Sequence, residues 1–231
     1  MSFGFKENTI DRCIYPKVSG SNFIFLILYV DDILLATNDL GLLSETMRYL
    51  SNNFEMKDMG EAYYAIGIEI FCDISQGLLG LSQNAYINKV LERFRIDKCS
   101  TSPIPIQKGD KFSLMQCQKN DLERKQMKDI PYAFFVGSLM YAQTCTRPDI
   151  SFAVGILGRY QSNPGLEHWK AAKKVLRYLQ GIKNHMLIYK KYDHLEVIVY
   201  TNSDFAGCMD TKKSTFDYVY LLIGGTISCK V

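Results

Sequence analysis

Two adjacent carboxylates, Asp31 and Asp32, follow the apolar run Phe23 to Leu28 with Tyr29 and Val30 between, and precede a second apolar run, Ile33 to Ala36. Like charges this close repel, and each is costly to keep ionised after an apolar strand unless a cation lies between them. Magnesium suits that task because it takes oxygen ligands, usually one or two carboxylates with substrate phosphates completing the shell. Two such ions can activate an attacking oxygen and stabilise a leaving one, which matches the pair to phosphoryl or nucleotidyl transfer. A plainer reading makes Asp31 and Asp32 the polar turn of an exposed hairpin, since Asp is a common turn residue. A third makes them the acidic pair of a phospho-acceptor signalling domain, with Asp73 as the phosphorylated aspartate. That layout requires a helix directly after the pair, where Ile33 to Ala36 reads as strand.

The elements that must hold the pair are legible on both sides of it. Cys13 to Lys17 and Phe23 to Tyr29 are β-rich runs joined by the turn cluster Ser19 to Asn22, which predicts a hairpin. The run after the pair predicts a second tight hairpin with both carboxylates at its tip. Leu42, Leu43, Met47, Leu50 and Phe54 recur at helical spacing with Asp39 as a cap. Tyr63 to Phe71 and Leu78 to Leu81 form a further predicted hairpin about Gln76 and Gly77, and Ser82 caps a helix carrying Ile87, Val90, Leu91 and Phe94. From Asp97 to Ile130 the composition turns polar and proline-containing, which reads as a linker and a boundary, with a short helix over Asp121 to Met127. Three helices are expected next, at Tyr132 to Cys145, Ile150 to Gln161 and Glu167 to Gln180, separated at Pro148 and Pro164. Short strands close the chain at Met186 to Tyr189, Val197 to Thr201, Tyr218 to Ile223 and Ile227 to Lys230, with Gly224 and Gly225 as a turn. There is no internal repeat. The expected class is α+β.

Composition bounds the alternatives. With 231 residues, 47% hydrophobic and 22% charged, the chain can bury a substantial core and is neither disordered nor fibrous. The net charge of +3 leans basic without naming a partner. The longest apolar run, Phe23 to Val30, is far short of the roughly 20 residues that span a bilayer, and no signal peptide opens the chain, so an intracellular protein with no membrane partner is expected. Seven scattered cysteines without a C-x-x-C pair are expected to be reduced and mostly buried. His168, His185 and His194 are not spaced as a metal site. The irregular start after Met1 is read as that of a truncated unit.

Tyr29-Val30-Asp31-Asp32 with Ile33-Leu34-Leu35-Ala36 resembles the catalytic hairpin of reverse transcriptases. The remaining motifs resemble the Pol polyprotein of copia-type LTR retrotransposons: Phe54 to Ala62, Leu81-Ser82-Gln83, Tyr86 to Phe94, Gly137 to Tyr141, Thr146 to Ile150, Ser162-Asn163-Pro164, His168-Trp169, Leu176 to Leu179, Lys213-Ser214-Thr215 and Gly224-Gly225. The resemblance covers nearly the whole chain and implies a partial palm over 1–71, a helical thumb and connection over 72–191, and an incomplete ribonuclease H-like β segment over 192–231. It further implies that Asp31 and Asp32 are catalytic and coordinate two Mg²⁺ ions. Tyr29 and Val30 would lie near the incoming nucleotide and primer end, and Met59-Gly60 would be the primer-grip turn. The partners implied are an RNA/DNA template-primer, deoxynucleotides and other Pol segments. The ancestral reaction would be RNA-templated addition of deoxynucleotides to a primer.

The same resemblance marks what these residues lack. The family brings a further palm aspartate and the fingers from segments that would precede Met1, so the isolated chain is expected to be inactive. Asn202 stands where the family has aspartate in the first ribonuclease H strand, Asp204 remains, and Phe216-Asp217 replaces Ser-Gly. A neutral amide supplies no anionic bridge between metals, so no ribonuclease H activity is expected. A non-catalytic nucleic-acid-binding remnant and a degenerate reading frame are the alternatives. For the first, Lys170, Lys173, Lys174 and Arg177 recur at steps of three and four, share one helix face and could neutralise phosphates; the alternative is an ordinary solvated face. Trp169 and Tyr178 are read as packing anchors.

Overall fold

The computed structural model describes residues 3–107, 110–191, 194, 196–204, 209–212 and 215–230, with the backbone alone at residues 202, 204, 215 and 230. It divides into two compact units, Met1–Ala62 and Tyr63–Val231. In the first, strands β1 (Ile14–Ser19), β2 (Asn22–Tyr29) and β3 (Asp32–Thr37) form an antiparallel meander, followed by helix α1 (Leu40–Asn53). Along β2 the period-two pattern buries Ile24 and Leu26 and leaves Phe23 and Phe25 outward. Those two buried residues meet Phe5, Leu42 and Leu50 in one core. Asp39 caps α1, its carboxylate accepting the Leu42 N–H at 2.6 Å, as its position before the helical pattern implied. The core thus fixes the sheet to the helix and leaves the β2–β3 turn projecting from one end of the hairpin.

The second unit mixes helices with two further antiparallel sheets. One is ordered β4 (Tyr64–Ala65), β5 (Ile68–Asp73), β6 (Leu78–Ser82), β7 (Leu187–Lys190); the other is β8 (Val197–Asp204), β9 (Thr215–Leu222), β10 (Gly225–Lys230), with β9 central. Helices α2 (Asn84–Arg93), α4 (Tyr132–Cys145), α5 (Ser151–Gly158) and α6 (Leu166–Gly181) share one core around Phe135, Leu139, Leu157 and Leu176, and α3 (Asp121–Met127) is a short addition. At the start of α6 the chain comes so close to the Leu114–Gln116 turn that a Cβ on Gly165 would lie 1.7 Å from the Gln116 carbonyl oxygen. Only glycine fits there.

Several expectations are corrected. Tyr63 to Phe71 is not one strand: Ile66 and Gly67, both at positive φ (54° and 73°), fold it into the β4–β5 hairpin. Tyr141 Oη donates to the Ile66 carbonyl and pins that turn onto α4. The 97–130 stretch is no linker, because it packs within the second unit. Its Ser102 N–H donates to Arg177 O, Asp97 O accepts from Gln180, and Cys117 and Met127 are buried. Residue 71 falls inside β5. Cysteines are not mostly buried: of those described, Cys13, Cys72 and Cys99 are exposed and Cys117 alone is buried. Every described strand pairing is antiparallel, and the acidic pair is followed by a strand, which removes the phospho-acceptor reading. Asp73 is instead the last residue of β5, whose carboxylate accepts from the Ser75 hydroxyl and the Gln76 N–H of the following turn; those bonds, the Ser75 hydroxyl first, hold its pKa below the ordinary carboxylate value.

Candidate catalytic hairpin and nucleic-acid face

The β2–β3 hairpin closes over two residues, Val30 and Asp31, because Tyr29 pairs directly with Asp32. Asp31 therefore sits at the tip, while Asp32 is the first residue of β3. Val30 has φ of 52°, the left-handed region that a β-branched side chain occupies only under strain, and it is 87% exposed. No core contact rewards that conformation. Asp31 and Asp32 are both exposed, and neither carboxylate has a hydrogen-bond or ion-pair partner among the described residues. No group of three His, Cys, Asp or Glu side chains comes together among the described residues. The donors are right in kind for a hard divalent cation and number two, which suits an ion that keeps waters or phosphate oxygens in the rest of its shell.

The other residues singled out by sequence lie as follows. Met59 is 81% exposed, and Gly60 turns the chain at φ 77° with its N–H held by Asp58 Oδ1 at 2.8 Å. Lys170, Lys173, Lys174 and Arg177 lie on α6, but the chain already uses them. Lys170 Nζ is 2.7 Å from Glu167, Lys174 Nζ is 3.8 Å from Asp110, and Lys173 Nζ lies 5.4 Å from the centre of the Trp169 ring. Arg177 donates to the Ser100 carbonyl and hydroxyl. Of the four, Lys170 alone is exposed; Lys173, Lys174 and Arg177 are half-buried. Trp169 packs edge-on against Phe135, 4.8 Å between ring centres, an anchor as expected. Asn202 and Asp204 belong to β8, facing Asp217 and Thr215 in register; their side chains lie outside the described residues, as do Lys213 and Ser214.

The motifs carry a structural network that their types alone did not announce. Arg147 is buried and clamps Asp149 with two hydrogen bonds, 3.0 and 2.6 Å, while its third donor meets the Ile182 carbonyl at 3.2 Å. Tyr178 Oη donates to the same Asp149 at 2.8 Å, and burial, followed by that neighbouring carboxylate, pushes the phenol up to about 12. Thr146 Oγ1 donates to buried Gln83 Oε1 at 2.7 Å. Thus residues 146–149, 81–83 and 176–179, far apart in sequence, meet around the ends of α2, α4 and α6. The available signal was an arginine two residues past the end of α4 and two before an aspartate, Arg147 and Asp149.

A family described as reverse transcriptase (RNA-dependent DNA polymerase) matches residues 1–108, which include the hairpin. The chain belongs to the reverse transcriptase family of transposon Pol polyproteins. It is 42% identical over 94% of its length to the retrovirus-related Pol polyprotein from transposon TNT 1-94 of Nicotiana tabacum, and 35% identical over 96% to that from transposon RE1 of Arabidopsis thaliana. It spans only 16% and 14% of those two proteins. An uncharacterized mitochondrial protein of Arabidopsis thaliana is 35% identical, the match covering 86% of this chain and 79% of that protein. No solved structure matches the chain. No helix among the described residues is long and apolar enough to cross a membrane.

Proposed function

We propose that the Tyr29–Asp32 hairpin is the metal-holding corner of a copia-type RNA-directed DNA polymerase, with Asp31 and Asp32 as the carboxylates that hold Mg²⁺. The observation that carries this is the pair of exposed, unpartnered carboxylates at the strained turn of β2–β3, in a chain of the reverse transcriptase family. When bound, two magnesium ions would activate the primer hydroxyl and neutralise the leaving pyrophosphate. Tyr29 and Val30 flank the pair and would border the primer end and incoming nucleotide. The turn at Met59 and Gly60 would steady the primer. The first unit, Met1–Ala62, is assigned to the palm, the elements that follow it up to residue 191 to thumb and connection, and 192–231 to the ribonuclease H-like start, where Asn202 in place of aspartate removes cleavage activity. Template-primer, deoxynucleotides and other Pol segments are the partners.

Two carboxylates make an incomplete two-metal cage, so the pair works with polypeptide beyond these 231 residues, and the chain by itself extends no primer. Primer extension with and without Mg²⁺ tests the second statement: extension that Asp31→Asn abolishes would refute it. Paramagnetic broadening by Mn²⁺ tests the first. Amide signals of residues 29–33 are expected to broaden selectively, and to stop doing so in Asp31→Asn/Asp32→Asn; unselective broadening across the surface overturns the metal assignment.

A further inference from the structure

A cavity of about 620 Å³ lies in the second unit where β5, β6 and the first turn of α2 meet the loop after α6. Nothing in the polymerase reading uses it. Glu69 and Phe71 alternate on β5 and so share one face, which forms one wall. Phe71 faces Gly80 across the β5–β6 ladder, and a Cβ there would stand 3.5 Å from Phe71 Cβ. The Met186 thioether lies over the glycine, its Cε 3.3 Å from that Cβ position, and the Phe71 ring remains 53% exposed, with Tyr63 also exposed beside the same space. Exposed aromatics beside an open cavity invite a flat ring to stack.

An ordered row of amides lines the same cavity. Lys183 Nζ donates to Asn88 Oδ1 at 2.9 Å, Asn88 Nδ2 to Asn84 Oδ1 at 2.5 Å, and Asn84 Nδ2 to Asn184 Oδ1 at 2.6 Å. Each amide oxygen in the row already accepts one hydrogen bond, and each amide nitrogen keeps an N–H to give, the row ending on the Asn184 amide nitrogen, which has no partner among the described residues. The Glu69 carboxylate lines the same cavity, also without a hydrogen-bond or ion-pair partner among the described residues. A ligand that fills such a site is flat, and it carries adjacent donors for the carboxylate and an acceptor for the amides. A phosphate fails the test, because Glu69 would repel it. A guanine base passes: its ring N–H and exocyclic amine form two neighbouring donors, and its carbonyl is the acceptor beside them.

We infer that this cavity binds a single unpaired nucleobase, guanine preferred, stacked on Phe71, with its Watson–Crick edge held between Glu69 and the Asn84–Asn88–Asn184 row. The choice of a nucleotide over another flat polar ring rests on the polymerase reading above. The geometry of the cavity does not. Binding of GMP, AMP, CMP and UMP to the full chain is followed by NMR through the side-chain amide signals of the three asparagines. GMP is expected to shift them at lower concentration than the other three. Phe71→Ala should weaken all four by about tenfold, since stacking is indifferent to base identity. Glu69→Gln should erase the preference for GMP while leaving AMP binding within about twofold. Asn184→Ala, in an exposed loop, gives a second variant that keeps the fold and should weaken GMP about fivefold. Unshifted asparagine amides at millimolar nucleotide overturn the proposal, as does equal binding of a methyl glycoside. None of these outcomes bears on Mn²⁺ broadening at the hairpin, so failure here and failure of the polymerase reading are told apart.

Discussion

At Val30 the residue and its conformation conflict. A β-branched side chain at φ 52° costs about 1 kcal/mol or more, and at 87% exposure nothing is gained by burying it. Asparagine tolerates the left-handed region far better, so Val30→Asn should raise the stability of the first unit by about 1 kcal/mol. Urea unfolding of the wild type and variant measures this; an unchanged midpoint would show that the turn is not strained. The carboxylates beside it were visible in sequence because their chemistry depends on adjacency alone. The positive φ was not, since no Gly or Asn marks the turn. The cysteines failed for the converse reason: a hydrophobic tendency predicts burial on average, but Cys72 sits on a strand face that the fold leaves open.

Among elements, the helices were the most legible. The predicted bounds of α3 and α4 match the observed ones, and α6 differs by one residue at each end. Their 3.6-residue patterns run long enough to outvote local noise, and prolines punctuate them. The β4–β5 hairpin was lost inside an apolar run because its two-residue turn, Ile66-Gly67, contains one breaker only. What joins the elements was less legible still. Arg147 reads as a cation following a helix, yet it is buried and serves Asp149 and the Ile182 carbonyl together. A lysine offers one compact ammonium and cannot make the forked contact. Arg147→Lys should therefore cost about 2 kcal/mol, read by denaturant unfolding. A loss below about half of that would mean that the clamp adds little.

For the whole molecule, the sensitive point is a single imidazole. His168 is fully buried, stacked on Tyr160 at 4.0 Å; its Nδ1 accepts the Gly165 N–H at 2.9 Å and its Nε2 has no partner among the described residues. Burial holds its pKa below the ordinary value, with Asp210 and Glu167 opposing more weakly. The unfolded chain then takes up a proton that the folded chain resists. Stability is fully present above the unfolded value of about 6.5 and falls as pH drops through it. The melting temperature should decline from pH 7 to pH 5, and His168→Gln should flatten that decline. A profile that the substitution leaves unchanged would assign acid sensitivity to other groups.

Local chemistry alone carried the adjacent carboxylates, the helical periods, the glycine and proline punctuation and the family motifs, because each is a property of near neighbours in the chain. Long-range contact decided the rest. The basic residues of α6 stand at steps of three and four in the sequence, but only folding could bring Asp110 and Ser100 against Lys174 and Arg177. The apparent linker became packed structure for the same reason. The amide row from Lys183 to Asn184 joins residues about a hundred positions apart, a separation at which sequence spacing carries no information about distance.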